Sequence, residues 1–88
     1  MKLVFADQAW EDYLHWQAND ANTFERVNEL IKECRRDPFR GIGKPEPLKG
    51  DLQGWWSRRI NTTDRLVYRI SGARTAQALE IAQCRFHY

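Results

Sequence analysis

The spacing of the apolar residues changes once along this chain, and the change restricts the fold more than any other feature. Up to residue 36, apolar side chains recur every three or four positions, which is the spacing of an amphipathic helix. From residue 55 onward they alternate with polar side chains, as in a strand with one buried face. The pattern predicts two helices followed by three strands, with one further short strand, Lys2–Ala6, at the N-terminus.

The first helix is predicted to span Gln8–Ala18, with Asp7 as its N-cap residue. The second helix begins after a cap at Asp20 and ends at Asp37, because the ring of Pro38 disfavours helical geometry at the residue before it. Each helix has one apolar stripe, which predicts the face that packs inward. The stripe residues are Trp10, Tyr13 and Leu14 in the first helix and Phe24, Val27, Leu30, Ile31 and Cys34 in the second.

The strands that follow are predicted at residues 55–60, 65–70 and 78–86. Asn61–Asp64 is the predicted turn of the first hairpin. The hydrophobic pattern favours the register in which Ile60 lies opposite Leu66, because a slip by one residue would place Arg59 opposite Leu66.

The same alternation sends three arginines, Arg59, Arg65 and Arg69, to the sheet face that points away from the helices. Like charges on neighbouring strands repel one another, so the arrangement predicts an anionic ligand on this face. A solvated arginine surface explains the pattern equally well, and both interpretations stay open on the pattern alone.

Between the helices and the hairpin lies an irregular connection, residues 37–54, with three prolines and four glycines. Irregular connections of this length are often functional. Glu46 lies between two prolines that hold its backbone extended, and Lys44 and Lys49 on either side can reach a phosphate. Glu46 is therefore a candidate general base, although an exposed acid in a proline-rich loop is the simpler interpretation of this residue alone.

His87 is the last residue but one. Alternation along the third strand places it with Arg85 on the polar face, while Phe86 and Cys84 point inward. Its imidazole is a candidate general acid, and a frayed terminal histidine is the alternative. Together with Glu46 and the arginines it would form a metal-free ribonuclease site. There the base takes the proton of the RNA 2′-OH, and the acid protonates the departing 5′-oxygen.

Composition sets the broad class of the protein. The 88 residues are expected to form one domain, with no membrane span, no signal peptide and a cytoplasmic location. The two cysteines lack metal-ligand spacing, so no metal or other cofactor is expected. Residues 1–43 carry six Lys/Arg and eight Asp/Glu, a charge of −2, whereas residues 44–88 carry eight and four, a charge of +4. The basic half also holds five aromatic residues, which is a weak signal for binding single-stranded nucleic acid.

Several sequence blocks resemble the YoeB/Txe branch of the RelE-like bacterial toxins, over nearly the full length. They are KLVF, WEDYLHWQ, NELIKECRRDPFRGIGKPEPLKG, WWSRRI, RLVYRI and CRFHY, of which KPEPLK and the terminal HY are the most specific. The resemblance implies a single toxin domain, residues 1–88, with an α+β fold of the microbial-ribonuclease type. In that fold an N-terminal strand and two helices pack on an antiparallel, twisted sheet of about four strands.

The resemblance also implies a function and a set of partners. The expected protein is the toxin of a type II toxin–antitoxin system, a metal-independent, ribosome-dependent endoribonuclease that cuts mRNA in the A site of the 70S ribosome. A YefM/Phd-like antitoxin is the implied partner, operator DNA is contacted only through the antitoxin complex, and a homodimer is a further expectation.

Family roles fall on matching positions of this sequence. The resemblance implies that Glu46 is the general base, His87 the general acid and Arg65 the group that stabilises the transition state. The implied substrate-binding residues are Lys49, Arg59 and Tyr88, to which Lys44 and Arg69 are added from their charge and position.

Two departures from the family pattern stand out. The turn Ser71–Gln77 is longer than expected, and Phe86 stands where the family has tyrosine.

Two other functions stay open. One is a toxin of the same fold that poisons its target by binding, as gyrase-poisoning relatives do, although these are not expected to combine the loop glutamate with the C-terminal histidine. The other is a non-catalytic RNA-binding or ribosome-binding module, in which Glu46 and His87 would be dispensable.

Overall fold

The computed structural model describes residues 1–87, and its helices and strands follow the predicted order with one addition. Helix α1 spans Asp7–Asn19 and helix α2 spans Ala21–Arg36. The strands are β1 Lys2–Phe5, β2 Glu46–Pro47, β3 Trp56–Arg59, β4 Arg65–Ser71 and β5 Ala78–Gln83. A short 3-10 helix, Gly50–Leu52, lies between β2 and β3. Within residues 1–87, no helix has the length and hydropathy of a membrane span.

The five strands form one sheet in the order β1-β5-β4-β3-β2. The neighbours from β5 to β2 are antiparallel, but β1 runs parallel to β5. The sheet differs from the predicted one in two details: it has five strands instead of about four, and its β1–β5 pair is parallel. The added strand, β2, has only two residues and contains Pro47, so no alternation of side chains marks it in the sequence.

The core lies between the two helices and one face of the sheet. Helix α2 packs as predicted, with Val27, Leu30, Ile31 and Cys34 buried. Its N-terminus is capped as predicted, because the Asp20 carboxylate accepts a hydrogen bond from the Thr23 backbone N–H at 3.1 Å. The sheet contributes Leu66, Tyr68, Leu79 and Ile81, the residue after β3 contributes Ile60, and the segment after β5 contributes Cys84.

Helix α1 packs on a different face from the predicted one. Its buried residues are Ala9, Asp12 and Trp16, whereas Trp10 is 47% exposed. The inward face carries a buried aspartate, Asp12, and therefore looks polar in the sequence. Choosing the face with the most apolar residues selects the wrong side of the helix. Asp7 is also not the N-cap residue, since Ala6 holds that position without a side-chain hydrogen bond. Asp7 lies in the first turn instead, where its negative charge complements the helix dipole.

The hairpin of β3 and β4 has its predicted faces but a different register. Arg58, not Ile60, lies opposite Leu66, so the register differs by two residues from the prediction. The cause is the turn, in which the Asn61 side chain accepts hydrogen bonds from the backbone N–H groups of Thr63 and Asp64 at 2.9 and 2.7 Å. This turn puts Ile60 opposite Asp64, whose carbonyl accepts from the Ile60 N–H at 3.0 Å, and a shift of two preserves the face of every side chain.

The buried cysteines and tyrosine predict a loss of stability in alkali. Burial raises the pKa of Cys34 from 9.0 to about 11, that of Cys84 from 9.0 to about 12 and that of Tyr68 from 10.0 to about 12. The folded chain therefore holds these protons more tightly than the unfolded chain does. The resulting stability is complete below pH 9 and is lost as the pH rises through 11 to 12.

The free energy of unfolding should fall by on the order of 6 kcal/mol between pH 8 and pH 11 if all three shifts are realised. Urea titrations followed by tryptophan fluorescence at pH 8, 9, 10 and 11 measure the change. A Cys34→Ala variant is the matched control, because it lacks one of the three groups and should show a weaker dependence. A midpoint that does not move with pH would contradict the expectation.

Candidate active site

The short strand β2 places Glu46 on the sheet. Glu46 pairs with Ser57 of β3, and Ser57 pairs with Val67 of β4. Two residues further along, Arg59 of β3 pairs with Arg65 of β4. Residues that lie opposite each other share a face, and diagonal neighbours lie within roughly 7–8 Å. The register thus places Glu46, Arg59 and Arg65 on the same face, opposite the helices, with Arg59 a diagonal neighbour of Glu46 and a direct neighbour of Arg65.

The arginines on this face differ in how their charges are held. Arg59 is exposed. Arg65 is half-buried, and its guanidinium donates hydrogen bonds to the backbone carbonyls of Asn61 and Asp64 at 2.9 and 3.1 Å. The hairpin turn therefore orients Arg65 through neutral carbonyl groups, which do not cancel its positive charge.

Arg69 lies farther along β4 and forms a salt bridge with Glu80 at 3.0 Å. Its guanidinium also lies 4.4 Å from the ring centre of Trp55. The pKa of Glu80 is lowered, mainly by a hydrogen bond from Ser71 and further by Arg69. The charge of Arg69 is thus already balanced by Glu80 in this structure. In this respect Arg69 differs from Arg59 and Arg65.

The predicted phosphate-binding lysines lie on either side of β2. Lys44 precedes the strand and is exposed, with a backbone φ of +50°. Lys49 is exposed at the N-cap position of the 3-10 helix. Both side chains are therefore accessible close to Glu46 in sequence.

The C-terminal segment does not continue as a strand. β5 ends at Gln83, so the predicted strand to Phe86 is wrong, and so is the inward position of Phe86, which is 55% exposed. The cause is Cys84, whose backbone N–H donates to Asp12 at 3.1 Å and whose carbonyl accepts from the Trp16 indole at 2.7 Å. These bonds to α1 draw the chain away from the sheet ladder, while Cys84 itself is buried as predicted.

His87 follows this segment and is exposed. The residue before it, Phe86, accepts a hydrogen bond at its carbonyl from the Arg65 backbone N–H at 3.0 Å. The backbone of the candidate acid therefore adjoins the strand that carries Arg65. Tyr88, predicted to bind substrate, lies outside the described residues.

Arg58 supports the site and was missed as a functional residue. Its side chain is fully buried and donates hydrogen bonds to the Tyr68 hydroxyl and to three backbone carbonyls. The carbonyls belong to Asp37, Arg40 and Ile42, at 2.6, 2.9 and 2.9 Å. These bonds tie the first part of the connection, immediately before Glu46, to the sheet. The sequence does carry a sign of this role, because alternation places Arg58 on the apolar face of its predicted strand, where a charged side chain needs buried partners.

Gly43 completes the attachment of this loop. Its carbonyl accepts a hydrogen bond from the Arg59 backbone N–H at 2.6 Å, and its φ of +82° is a conformation that favours glycine. A Cβ atom here would lie 2.8 Å from a Leu30 methyl group and 3.1 Å from the Arg58 Cβ. The connection is therefore packed against the sheet and α2 in the free chain.

A cleft of about 460 Å³ lies beside β1, at the edge of the sheet opposite to β2 and Glu46. Its lining contains neither a carboxylate nor a histidine, and consists of Met1, Lys2, Arg74, Thr75, Ala76 and Gln77. Among residues 1–87, no group of three or more His, Cys, Asp or Glu could hold a metal ion.

Comparison with known proteins identifies the family. A family model described as the YoeB-like toxin of bacterial type II toxin–antitoxin systems matches residues 5–88. This chain belongs to the YoeB-like family. Toxin YoeB of Streptomyces coelicolor is 52% identical to it over 88 residues, which cover 100% of both chains. The expected membership of the YoeB/Txe branch is therefore confirmed, and the chain is a type II toxin.

Solved structures of YoeB-like toxins have the same fold. The YoeB/ParE toxin from Agrobacterium tumefaciens is 56% identical, with a TM-score of 0.97 and complete coverage of both chains. A toxin chain in the heterotetrameric YoeB-YefM complex from Staphylococcus aureus is 43% identical, with a TM-score of 0.87, and the match covers 100% of this chain and 98% of that one. The predicted α+β class, with two helices on one sheet, is thereby confirmed.

Proposed function

We propose that this toxin is an endoribonuclease that cleaves mRNA on the ribosome. The observation that supports it best is the pairing of β2 with β3, which puts Glu46 on the same sheet face as Arg59 and Arg65. A base next to two cations is the arrangement that phosphodiester cleavage needs. The C-terminal segment, which carries His87, is hydrogen-bonded to the backbone at Arg65 and supplies the acid.

In the proposed reaction the RNA supplies its own nucleophile. Glu46 takes the proton of a 2′-OH, and the 2′-oxygen forms a bond to the adjacent phosphorus. The bond from phosphorus to the 5′-oxygen breaks, and His87 donates a proton to that oxygen. Arg59 and Arg65 hold the non-bridging oxygens as negative charge develops on them. The products are a 2′,3′-cyclic phosphate and a 5′-hydroxyl end, and no step uses a metal ion.

The exposure of the site favours a substrate that is held by a larger particle. Glu46 and Arg59 are both exposed, and Glu46 lies on the edge strand β2. Correct alignment of a 2′-OH with its phosphate is worth many orders of magnitude in rate. We propose that the 70S ribosome supplies this alignment in its A site, with Lys44, Lys49, Arg69 and Tyr88 as further contacts to the substrate.

In a cell whose translation is not inhibited, the proposed partner of the toxin is a YefM/Phd-like antitoxin, as in the Staphylococcus aureus complex. Operator DNA would be bound only through that complex, and a homodimer is proposed for the free toxin. Action on ribosomes implies a cytoplasmic location.

Mapping of mRNA ends in a translating extract tests the proposal. A defined mRNA should acquire new 5′ ends inside its reading frame, at least about 100-fold faster than the same RNA without ribosomes. The double variant Glu46→Gln/His87→Gln is the inactive control. Translation arrest without new ends would favour a toxin that acts by binding, and equal cleavage of free RNA would refute the dependence on the ribosome. Undiminished cleavage by the double variant would refute the assigned residues.

A further inference from the structure

Two residues in the described part of the chain, 1–87, have a positive φ without being glycine. They are Lys44, at +50°, and Phe86, at +67°. Each lies close in sequence to a proposed catalytic residue, Lys44 two positions before Glu46 and Phe86 one position before His87. An aromatic residue avoids this conformation unless its surroundings impose it, and such residues cluster at functional sites.

Two side chains bind the backbone of Phe86: Gln83 donates to its carbonyl at 3.4 Å, and Asp64 makes the shorter bond. Its Oδ1 accepts a hydrogen bond from the Phe86 backbone N–H at 2.6 Å, while the Phe86 carbonyl accepts from the Arg65 N–H at 3.0 Å. Both polar backbone groups of Phe86 are therefore held by two consecutive residues of the hairpin. Cys84, two positions earlier, is independently fixed by its bonds to α1.

We propose that Asp64 is a positioning residue for the general acid. By fixing Phe86, it turns the chain so that His87 emerges beside the start of β4, where Arg65 lies. This inference rests on the proposed function. Asp64 touches neither substrate nor reacting atoms, and it acts only through the backbone that carries the imidazole.

A purely structural role for Asp64 is the competing explanation, because the residue also belongs to the hairpin turn. Its Oδ2 accepts a hydrogen bond from the Thr63 hydroxyl at 3.3 Å, and its backbone N–H donates to Asn61. The two roles differ in the step that they affect. A displaced acid slows only the protonation of the leaving oxygen, whereas a damaged hairpin displaces Arg65 and slows cleavage of any substrate.

An mRNA with sulfur in place of the scissile 5′-oxygen separates these roles. When the 2′-oxygen attacks this phosphorus, the bond from phosphorus to sulfur breaks and a thiolate leaves with the electron pair, without needing a proton. Asp64→Ala should therefore cleave the normal mRNA about 10–100-fold more slowly than wild type, and the sulfur-containing mRNA within about threefold of wild type. His87→Ala should show the same relief, whereas Glu46→Gln should stay slow on both substrates.

Two further variants keep the test decisive if Asp64→Ala folds poorly. Asp64→Asn retains an oxygen acceptor for the Phe86 N–H and should cleave the normal mRNA within about threefold of wild type.

Cys84 also allows a synthetic CRFHY segment to be ligated to residues 1–83, with an ester in place of the amide between Arg85 and Phe86. The ester removes the donor to Asp64 and leaves the hairpin intact. The ester chain should therefore cleave the normal mRNA slowly, as Asp64→Ala does, and the sulfur-containing mRNA at nearly the wild-type rate. An all-amide ligated chain is its control.

Normal cleavage by the ester chain and by Asp64→Ala would overturn the inference while leaving the proposed function in place. An equal loss on both mRNAs would also overturn it, because that result assigns Asp64 to the hairpin alone. A wild-type chain that leaves ribosome-bound mRNA uncut would instead overturn the proposed function, and the inference with it.

Discussion

Glu46→Gln is expected to slow cleavage of ribosome-bound mRNA by about 10²–10⁴-fold, which is the usual contribution of a general base. Glutamine has almost the same shape as glutamate, but its amide cannot take the proton of the 2′-OH. The fold should be unaffected, because the Glu46 side chain is exposed and its strand is held by backbone hydrogen bonds. The thermal midpoint should therefore lie within a few degrees of the wild-type value.

The measurement is a single-turnover rate on ribosomes stalled at a defined codon. Asp51→Asn is the matched control, because it removes one negative charge from an exposed position in the same connection. That variant should cleave within about twofold of wild type, which shows that the effect of Glu46→Gln is not a change in net charge. A Glu46→Gln toxin that cleaves as fast as this control would show that another group is the base.

The parts of the fold that were predicted correctly depend on neighbours close in sequence. Helix α2 has an apolar residue at each inward position, and its cap forms between Asp20 and Thr23, three residues apart. Helix α1 was placed on the wrong face because its inward residue Asp12 is polar. One carboxylate oxygen of Asp12 accepts from Gln8, four residues earlier, but the other accepts from the backbone of Cys84, 72 residues away, which no local pattern reveals.

The sheet shows the same division. Alternation alone determines which face each side chain of β3 and β4 occupies, so the grouping of Arg59 with Arg65 could be predicted. Alternation does not determine which residues lie opposite one another. The turn at Asn61 determines this register. The two residues of β2 have no pattern of their own, and they become a strand only because β3 offers an unpaired edge.

The candidate site was therefore predictable as a set of residue types but not as a geometry. The rigid, proline-flanked Glu46 and the arginine face are visible in the sequence. The direction of the C-terminal segment is not visible, because it depends on tertiary hydrogen bonds that Asp12 and Asp64 accept and that Trp16 donates.

Arg58→Met is expected to have the largest effect on stability. Methionine fills much of the same space but donates no hydrogen bonds, so three backbone carbonyls and the Tyr68 hydroxyl lose their donor. Leaving buried acceptors unpaired should cost about 3 kcal/mol in the free energy of unfolding. For a domain of this size, that loss lowers the thermal midpoint by roughly 12–24 °C. Arg58→Lys should fall in between, because one ammonium group cannot reach all four acceptors.

Arg59→Met is the matched control, since it makes the same change at the next, exposed position of β3 and should alter stability by no more than about 0.5 kcal/mol. Hydrogen exchange locates the effect. The Leu48 N–H, which donates to the Trp55 carbonyl, and the Arg59 N–H, which donates to Gly43, should exchange faster in Arg58→Met than in the control. Equal midpoints for the two variants would mean that Arg58 does not hold the connection. Faster exchange confined to these amides would mean that Arg58 is what keeps Glu46 against the sheet before any RNA binds.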